Sequence, residues 1–263
     1  MSFFSRFTHK KTKLDEDSMK YGVALITKND PQSGISEQYR TIRTNLKFSF
    51  LDSNFKVLAI MSALPSEGKS IVSANLAVTW AEEGKKTLLV DADLRRPTVH
   101  QSFKVSNRYG LSNIITSSSN SVNISEMIDH TDIDNLDVLT SGPIPPNPAE
   151  LLGSERFGRL LEFLKGRYDL IILDAPPVDT VTDGQIVATK ADGVALVVPQ
   201  GIATKDAVSR AVKLLRQVKA NILGVIMNRF NAAESTSYYG SYYGGYYGGN
   251  YYGIDEKKED KKK

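Results

Sequence analysis

Residues Val57 to Trp80, VLAIMSALPSEGKSIVSANLAVTW, constrain this chain more than any other stretch. Val57 to Met61 is a short apolar run, the pattern of a buried strand. Pro65 and Gly68 interrupt it. From Lys69 onward Ile71, Ala74, Leu76 and Val78 recur at helical spacing. Strand, tight loop ending in Gly68-Lys69-Ser70, then helix is the context in which a phosphate loop operates. Backbone N–H groups along Ser66, Glu67, Gly68, Lys69, Ser70 and Ile71, with the helix N-terminus, would converge on one anion. Lys69, expected on a solvent-accessible loop, would reach the terminal phosphates, and the Ser70 hydroxyl would hold Mg²⁺. The first glycine of such loops is Ala63 here, which is tolerable where its φ stays negative. The alternative is a strand–turn–helix with a chance Gly-Lys-Ser.

Composition narrows the classes. The 263 residues are 41% hydrophobic and 24% charged, as expected of a soluble domain with a substantial core. A net charge of +3 gives no case for nucleic acid. Cysteine is absent, which excludes disulfides and cysteine-held iron–sulfur clusters. No apolar run approaches the roughly 18–20 residues of a membrane span, and MSFFSRFTHKKTK has no signal-peptide core. A cytoplasmic location is the expectation.

Taken in order, residues 1–30 read as a flexible basic arm. Phe3, Phe4 and Phe7 near Arg6, Lys10, Lys11 and Lys13 offer either a weak membrane-surface contact or a solvated tail. Ser36 to Phe50 reads as a helix capped by Ser36, with Tyr39, Ile42, Leu46 and Phe50 on its apolar side. Glu37, Arg40 and Arg43 follow one another at three-residue spacing on it, the usual mark of a solvated charged face. KTLLVDADLRRP is a second buried strand; alternation would send Asp91 and Asp93 to the same side, at the sheet edge where ligands bind. Residues 104–135 suggest loop with a short helix. Leu136 to Thr140 reads as a strand, Pro143-Ile144-Pro145-Pro146 as a stiff connector, and Asn147-Pro148-Ala149-Glu150 as a helix start. The apolar run Leu170–Leu173 ends in Asp174, suited to Mg²⁺ through water. Val194–Val198 and Ile222–Met227 read as two more buried strands around a helix from Lys205 to Lys219, with Asn228-Arg229 closing the last.

At Ser235 the composition changes. STSYYGSYYGGYYGGNYYG holds Tyr238, Tyr239, Tyr242, Tyr243, Tyr246, Tyr247, Tyr251 and Tyr252, eight of the chain's twelve tyrosines. Glycine at this density does not sustain a helix or strand, so 234–263 reads as a disordered tail. It is either an adhesive low-complexity segment or a set of phenolic hydroxyls presented to an active site.

Together these features resemble the bacterial protein-tyrosine kinases (BY-kinases) of capsule and exopolysaccharide operons, the CpsD/CapB type. SALPSEGKS resembles their Walker A motif, LLVDADLRRP their Walker A′ and LIILDAPP their Walker B. Glu37, Arg40 and Arg43 match an E-x-x-R-x-x-R oligomerisation helix, and the tyrosine cluster matches an autophosphorylation tail. The resemblance implies an α/β, P-loop NTPase-like fold of the MinD/ParA kind, a mostly parallel sheet with helices on both faces, over residues 31–233. It implies ATP and Mg²⁺, with Lys69, Asp91, Asp93 and Asp174 catalytic and Asp91 taking the tyrosine proton. Ser70, Asp91, Asp93 and Asp174 would face the metal, while Asn228 and Arg229 join the nucleotide site. It further implies a ring, an octamer, a separate membrane-spanning adaptor that recruits the kinase to the inner face of the membrane, and a cognate phosphatase.

Two rivals compete. A Min- or Par-type ATPase shares the fold but carries a signature lysine where this chain has Leu64, and has no need of a tyrosine tail. A non-catalytic scaffold explains the tail and leaves Ser70, Asp91, Asp93 and Asp174 without a purpose.

Overall fold

A computed structural model describes residues 17–50, 55–117 and 123–230. It divides into a unit reaching Asn228 and a second from Arg229, of which Arg229 and Phe230 alone are described. The phenylalanines and lysines of the N-terminal arm and the eight tail tyrosines lie outside the described residues.

Among the described residues seven strands form one sheet in the order β3-β4-β2-β5-β1-β6-β7. These are β1 (Val57–Ser62), β2 (Thr87–Asp91), β3 (Asp129–His130), β4 (Leu136–Leu139), β5 (Leu170–Asp174), β6 (Gly193–Pro199) and β7 (Ile222–Asn228). All neighbours are parallel except the short β3, which runs antiparallel to β4. The chain leaves β1 for β2, two places away, and later returns to β6 on β1's other side. Such a reversal opens a crevice at the strands' carboxyl ends, where ligands of open α/β sheets bind.

Helices cover both faces. On one lie α1 (Ile26–Asn29), α2 (Gly34–Ser49), α3 (Lys69–Glu82) and α4 (Val99–Phe103). On the other lie α5 (Leu111–Thr116), α6 (Pro148–Gly153), α7 (Glu155–Lys165), α8 (Thr182–Ala188) and α9 (Lys205–Gln217). β1 and β5 are buried throughout, which explains their unbroken apolar runs. The α3 helix is held from behind by buried Asn75. Its Oδ1 accepts from Thr27 N–H (2.9 Å) and Thr27 Oγ1 (3.0 Å), and its Nδ2 donates to Ala24 O and Ile71 O. Every capacity of the amide is used, so the latch fixes α3 without a desolvation cost.

Several expectations are corrected. Ser33, not Ser36, caps α2, accepting from Ser36 N–H at 3.2 Å, and the helix starts at Gly34. β7 is an edge strand with one open face: Val225 and Met227, two apart and so on the same side, are 56% and 55% exposed, while Ile226 on the other side is buried. The segment 104–135 holds β3, too short to show a period of two. Among the described residues no helix is long and apolar enough to cross a membrane.

Candidate active site

The loop from Ala63 to Ser70 leaves β1 and enters α3, as its sequence requires. Gly68 takes φ +92, and a Cβ there would stand 2.1 Å from Asn228 Nδ2, so two constraints select glycine. Ser66 also adopts positive φ, whereas Ala63 does not, which is why the missing glycine is tolerated. Asn228, at the end of β7, donates to Glu67 O at 3.1 Å and so braces the loop. Glu67 is buried, with Oε2 accepting from Leu64 N–H at 2.9 Å.

Lys69 is not on an accessible surface. It is 8% exposed, and its Nζ stands 2.9 Å from Asp93 Oδ2, 3.6 Å from Asp174 Oδ1 and 3.2 Å from Ser70 Oγ. Burial by itself would lower its pKa, but Asp174, Asp93 and Asp91 more than offset this and hold the ammonium above its ordinary value. A solvent-facing lysine was expected because local pattern cannot reveal carboxylates arriving from other strands.

Asp91 and Asp174 close adjacent strands and are paired in register. Strand alternation does not place Asp93, since β2 ends at Asp91. The following turn does so: Asp93 Oδ1 accepts from the N–H groups of Arg95 (3.3 Å) and Arg96 (3.1 Å). Asp91 Oδ2 accepts from the N–H groups of Thr98 and Val99, both at 3.0 Å. Burial, then the charge of Asp174, push the Asp91 carboxyl up to about 8. Asp174 is likewise raised by burial, against Lys69 and the Ser70 and Ser73 hydroxyls, which favour its charged form.

Two buried oxygens of this cluster, Asp91 Oδ1 and Asp174 Oδ2, accept no hydrogen bond. Buried carboxylate oxygens without donors are costly unless a cation faces them. Among the described residues no three acidic or imidazole groups cage a metal unaided. The donor set therefore fits an ion that takes one or two carboxylates, a hydroxyl such as Ser70 and phosphate oxygens, the coordination habit of Mg²⁺.

Two features escaped the sequence. Ser73, one turn beyond Lys69, has Asp174 Oδ1 at 3.1 Å, and Arg95 forms a two-point ion pair with buried Asp183 (2.8 and 3.1 Å). Both link residues 88 or more apart, which no spacing rule connects.

The sequence profile of the ParA family, described as NUBPL iron-transfer P-loop NTPase, matches residues 54–241. The tyrosine-protein kinase YwqD of Bacillus subtilis is 44% identical over 219 residues, covering 82% of this chain and 91% of YwqD. The putative tyrosine-protein kinase CapB of Staphylococcus aureus is 42% identical over 215 residues, covering 82% and 93%. This chain belongs to the bacterial tyrosine-protein kinases. The solved chimerical protein CapA2B2 has the same architecture as this kinase, with a TM-score of 0.73 at 40% identity over 82% of this chain and 98% of that one. The kinase reading thus stands over the Min- or Par-type ATPase, and ATP with a divalent metal comes with the family. Cysteine-held iron chemistry, named in the profile's description, has no ligands in a chain without cysteine.

Proposed function

We propose that this kinase transfers the terminal phosphate of Mg²⁺-ATP to tyrosine hydroxyls of its own C-terminal cluster, Tyr238 to Tyr252, and so regulates capsule or exopolysaccharide synthesis. The observation that carries the reading is Lys69 held between Asp93 and Asp174 beside two buried oxygens that lack donors. When bound, Mg²⁺ supplies charge neutralisation on the phosphates. Lys69 supplies the same on the protein side. Its move from the carboxylates to a phosphate would uncover Asp93 and Asp174, so substrate binding prepares the site. A tyrosine hydroxyl is neutral at cellular pH and must lose its proton in transfer. Asp91 is the acceptor for it: its Oδ2 is held by the N–H groups of Thr98 and Val99, and its Oδ1 is left without a donor. Ring assembly through Glu37, Arg40 and Arg43, a membrane-spanning adaptor and a cognate phosphatase complete the proposal, as does a nucleotide contact from Arg229.

The test is incubation with radiolabelled ATP followed by an anti-phosphotyrosine blot. Lys69→Met leaves three buried carboxylates without their cation, so its stability also falls and a melting curve must accompany the blot. Ser70→Ala spares the ion pairs and is the cleaner variant. It should lose only about 1 kcal/mol of stability, the worth of its hydroxyl's contacts with Lys69 and Asp174, and label about 100-fold more slowly. Parental labelling by a folded Ser70→Ala or Lys69→Met chain would refute the assignment.

A further inference from the structure

We propose that Tyr109 and Ile144, flanked by Arg108, form the docking surface for the acceptor tyrosine, and that its occupant is the stretch 235–253 of another copy of this chain. The inference rests on the kinase reading above and adds the residues that receive the acceptor. Val90 pairs with Leu139 in register, so the exits of β2 and β4 are neighbours, about 5 Å apart. The β2 exit carries Asp93, which faces Lys69, and the β4 exit runs through Gly142 to Ile144. On the opposite side of Lys69 the phosphate loop is braced by Asn228 from β7. In-line transfer requires the acceptor on the far side of the moving phosphoryl group from its leaving group. With the nucleotide phosphates cradled by the loop after β1, the open approach is from the exits of β2 and β4.

That approach ends on a stiff rim. Leu111 N–H donates to Thr140 O and Ser112 N–H to Ser141 O, both at 2.8 Å. Asn107 closes a double bond pattern on Gly142, donating to its carbonyl at 3.1 Å and accepting from its N–H at 2.9 Å. Gly110 fits so closely that a Cβ would lie 2.3 Å from Thr140 O. On this rigid support Tyr109 and Ile144 are nevertheless 55% and 59% exposed. One exposed apolar residue is ordinary; two on a hydrogen-bonded rim at the carboxyl edge of the sheet suit a ligand that pairs a ring with a polar end. The Arg108 guanidinium stands 5.8 Å from the Tyr109 ring centre, placing a cation where a phosphorylated product would leave. The tail supplies its rings as four Tyr-Tyr doublets in a glycine-rich stretch, so every tyrosine has a second ring next to it in sequence, before or after, to rest on this rim.

The test uses the full-length chain with its eight tail tyrosines changed to serine, and a synthetic peptide of residues 235–253 as acceptor. Tyr109→Ser with Ile144→Ser should raise KM for the peptide about tenfold, the loss of an aromatic contact, with kcat within about twofold. ATP affinity by calorimetry should match the parent, and Tyr109→Phe, which keeps the ring, should keep the parental KM. Equal KM values in parent and double variant, with the parent labelling the peptide, overturn the docking surface and leave the kinase reading intact. No labelling by the parent removes the kinase reading and this inference with it.

Discussion

Asp91 divides its oxygens between two tasks. Oδ2 is committed to two backbone N–H groups, while Oδ1 is buried beside Asp174 with nothing to accept from. In Asp91→Asn the amide oxygen can keep the two N–H bonds and the amide nitrogen can donate where Oδ1 stood. Without nucleotide or metal the substitution removes one of three buried negative charges facing a single lysine. It should therefore stabilise the chain by about 1–2 kcal/mol at pH 8, a rise of a few degrees in Tm. The pH dependence follows from the direction of the shift. A carboxyl raised from 3.8 to about 8 binds its proton more tightly when folded, so its contribution is fully present below about pH 4 and is lost as pH rises through about 8. The advantage of asparagine should thus grow across that window and shrink in acid, where Asp91 is already neutral. Melting curves in EDTA from pH 5 to 9 check this; a Tm at pH 8 no higher than the parent's would show that the cluster carries no excess charge. The same variant should label its tail poorly. At this scale the sequence was informative about identity and silent about pairing. Gly68, Lys69 and Ser70 are read from consecutive positions, whereas the contacts of Lys69 with Asp93 and Asp174 exist only once three strands lie side by side.

Helix α2 carries a motif that packs within the chain and that, in the proposed assembly, would also meet another copy. Its sequence read as a solvated charged face or, by resemblance, an assembly helix. In the folded chain Arg43 donates to Thr79 O and lies 2.9 Å from Glu83, and Lys47 reaches Glu83 at 2.8 Å. Arg40 joins Glu37 at 2.5 Å and Glu82 at 3.5 Å. Basic groups thus gather at the C-terminal end of α3, where the helix dipole also favours them, and clamp α2 to the helix that carries the phosphate loop. Arg43 is the inner member, with its side chain 11% exposed, and Glu37 is the outer one at 52%. The residues of the motif are therefore separable. Arg43→Ala should cost about 1–3 kcal/mol by stripping a charged donor from a buried carbonyl. Glu37→Ala should cost under about 0.5 kcal/mol, as an exposed pair does, yet reduce the mass of the proposed assembly. Denaturation and light scattering on both variants decide it: an unchanged mass for Glu37→Ala would leave α2 as an intramolecular clamp only. The long amphipathic helices α2 and α9 and the unbroken apolar runs of β1 and β5 were legible in advance. Short polar or mixed ones such as α1, α4 and β3 were not, because two to five residues hold too little periodicity to outweigh their context.

For the whole molecule the question is which active site a tail enters, and what its modification does. A glycine-rich stretch of the length of 231–253 spans tens of ångströms when flexible, so the site of a neighbouring copy is within reach. Inside an assembly, the resulting effective concentration makes capture efficient even where each tyrosine binds weakly. Charge then acts in the opposite sense. Each phosphate adds about −1.5 to −2, so eight add roughly −12 to −16 to every chain. The unmodified chain carries only +3, so tails crowded around one assembly would repel. Labelling should accordingly pass between copies, and full labelling should dissolve the assembly. A full-length Lys69→Met chain with an intact tail, mixed with an active full-length chain whose tail tyrosines are serine, tests the first step. Phosphotyrosine should appear on the inactive chain, and its absence would refute transfer between copies. Light scattering before and after phosphatase treatment of the labelled wild-type chain tests the second. The phosphorylated form should be the smaller and should regain mass as phosphate is removed; a mass independent of phosphate would refute repulsion and leave the modified tail as a docking signal.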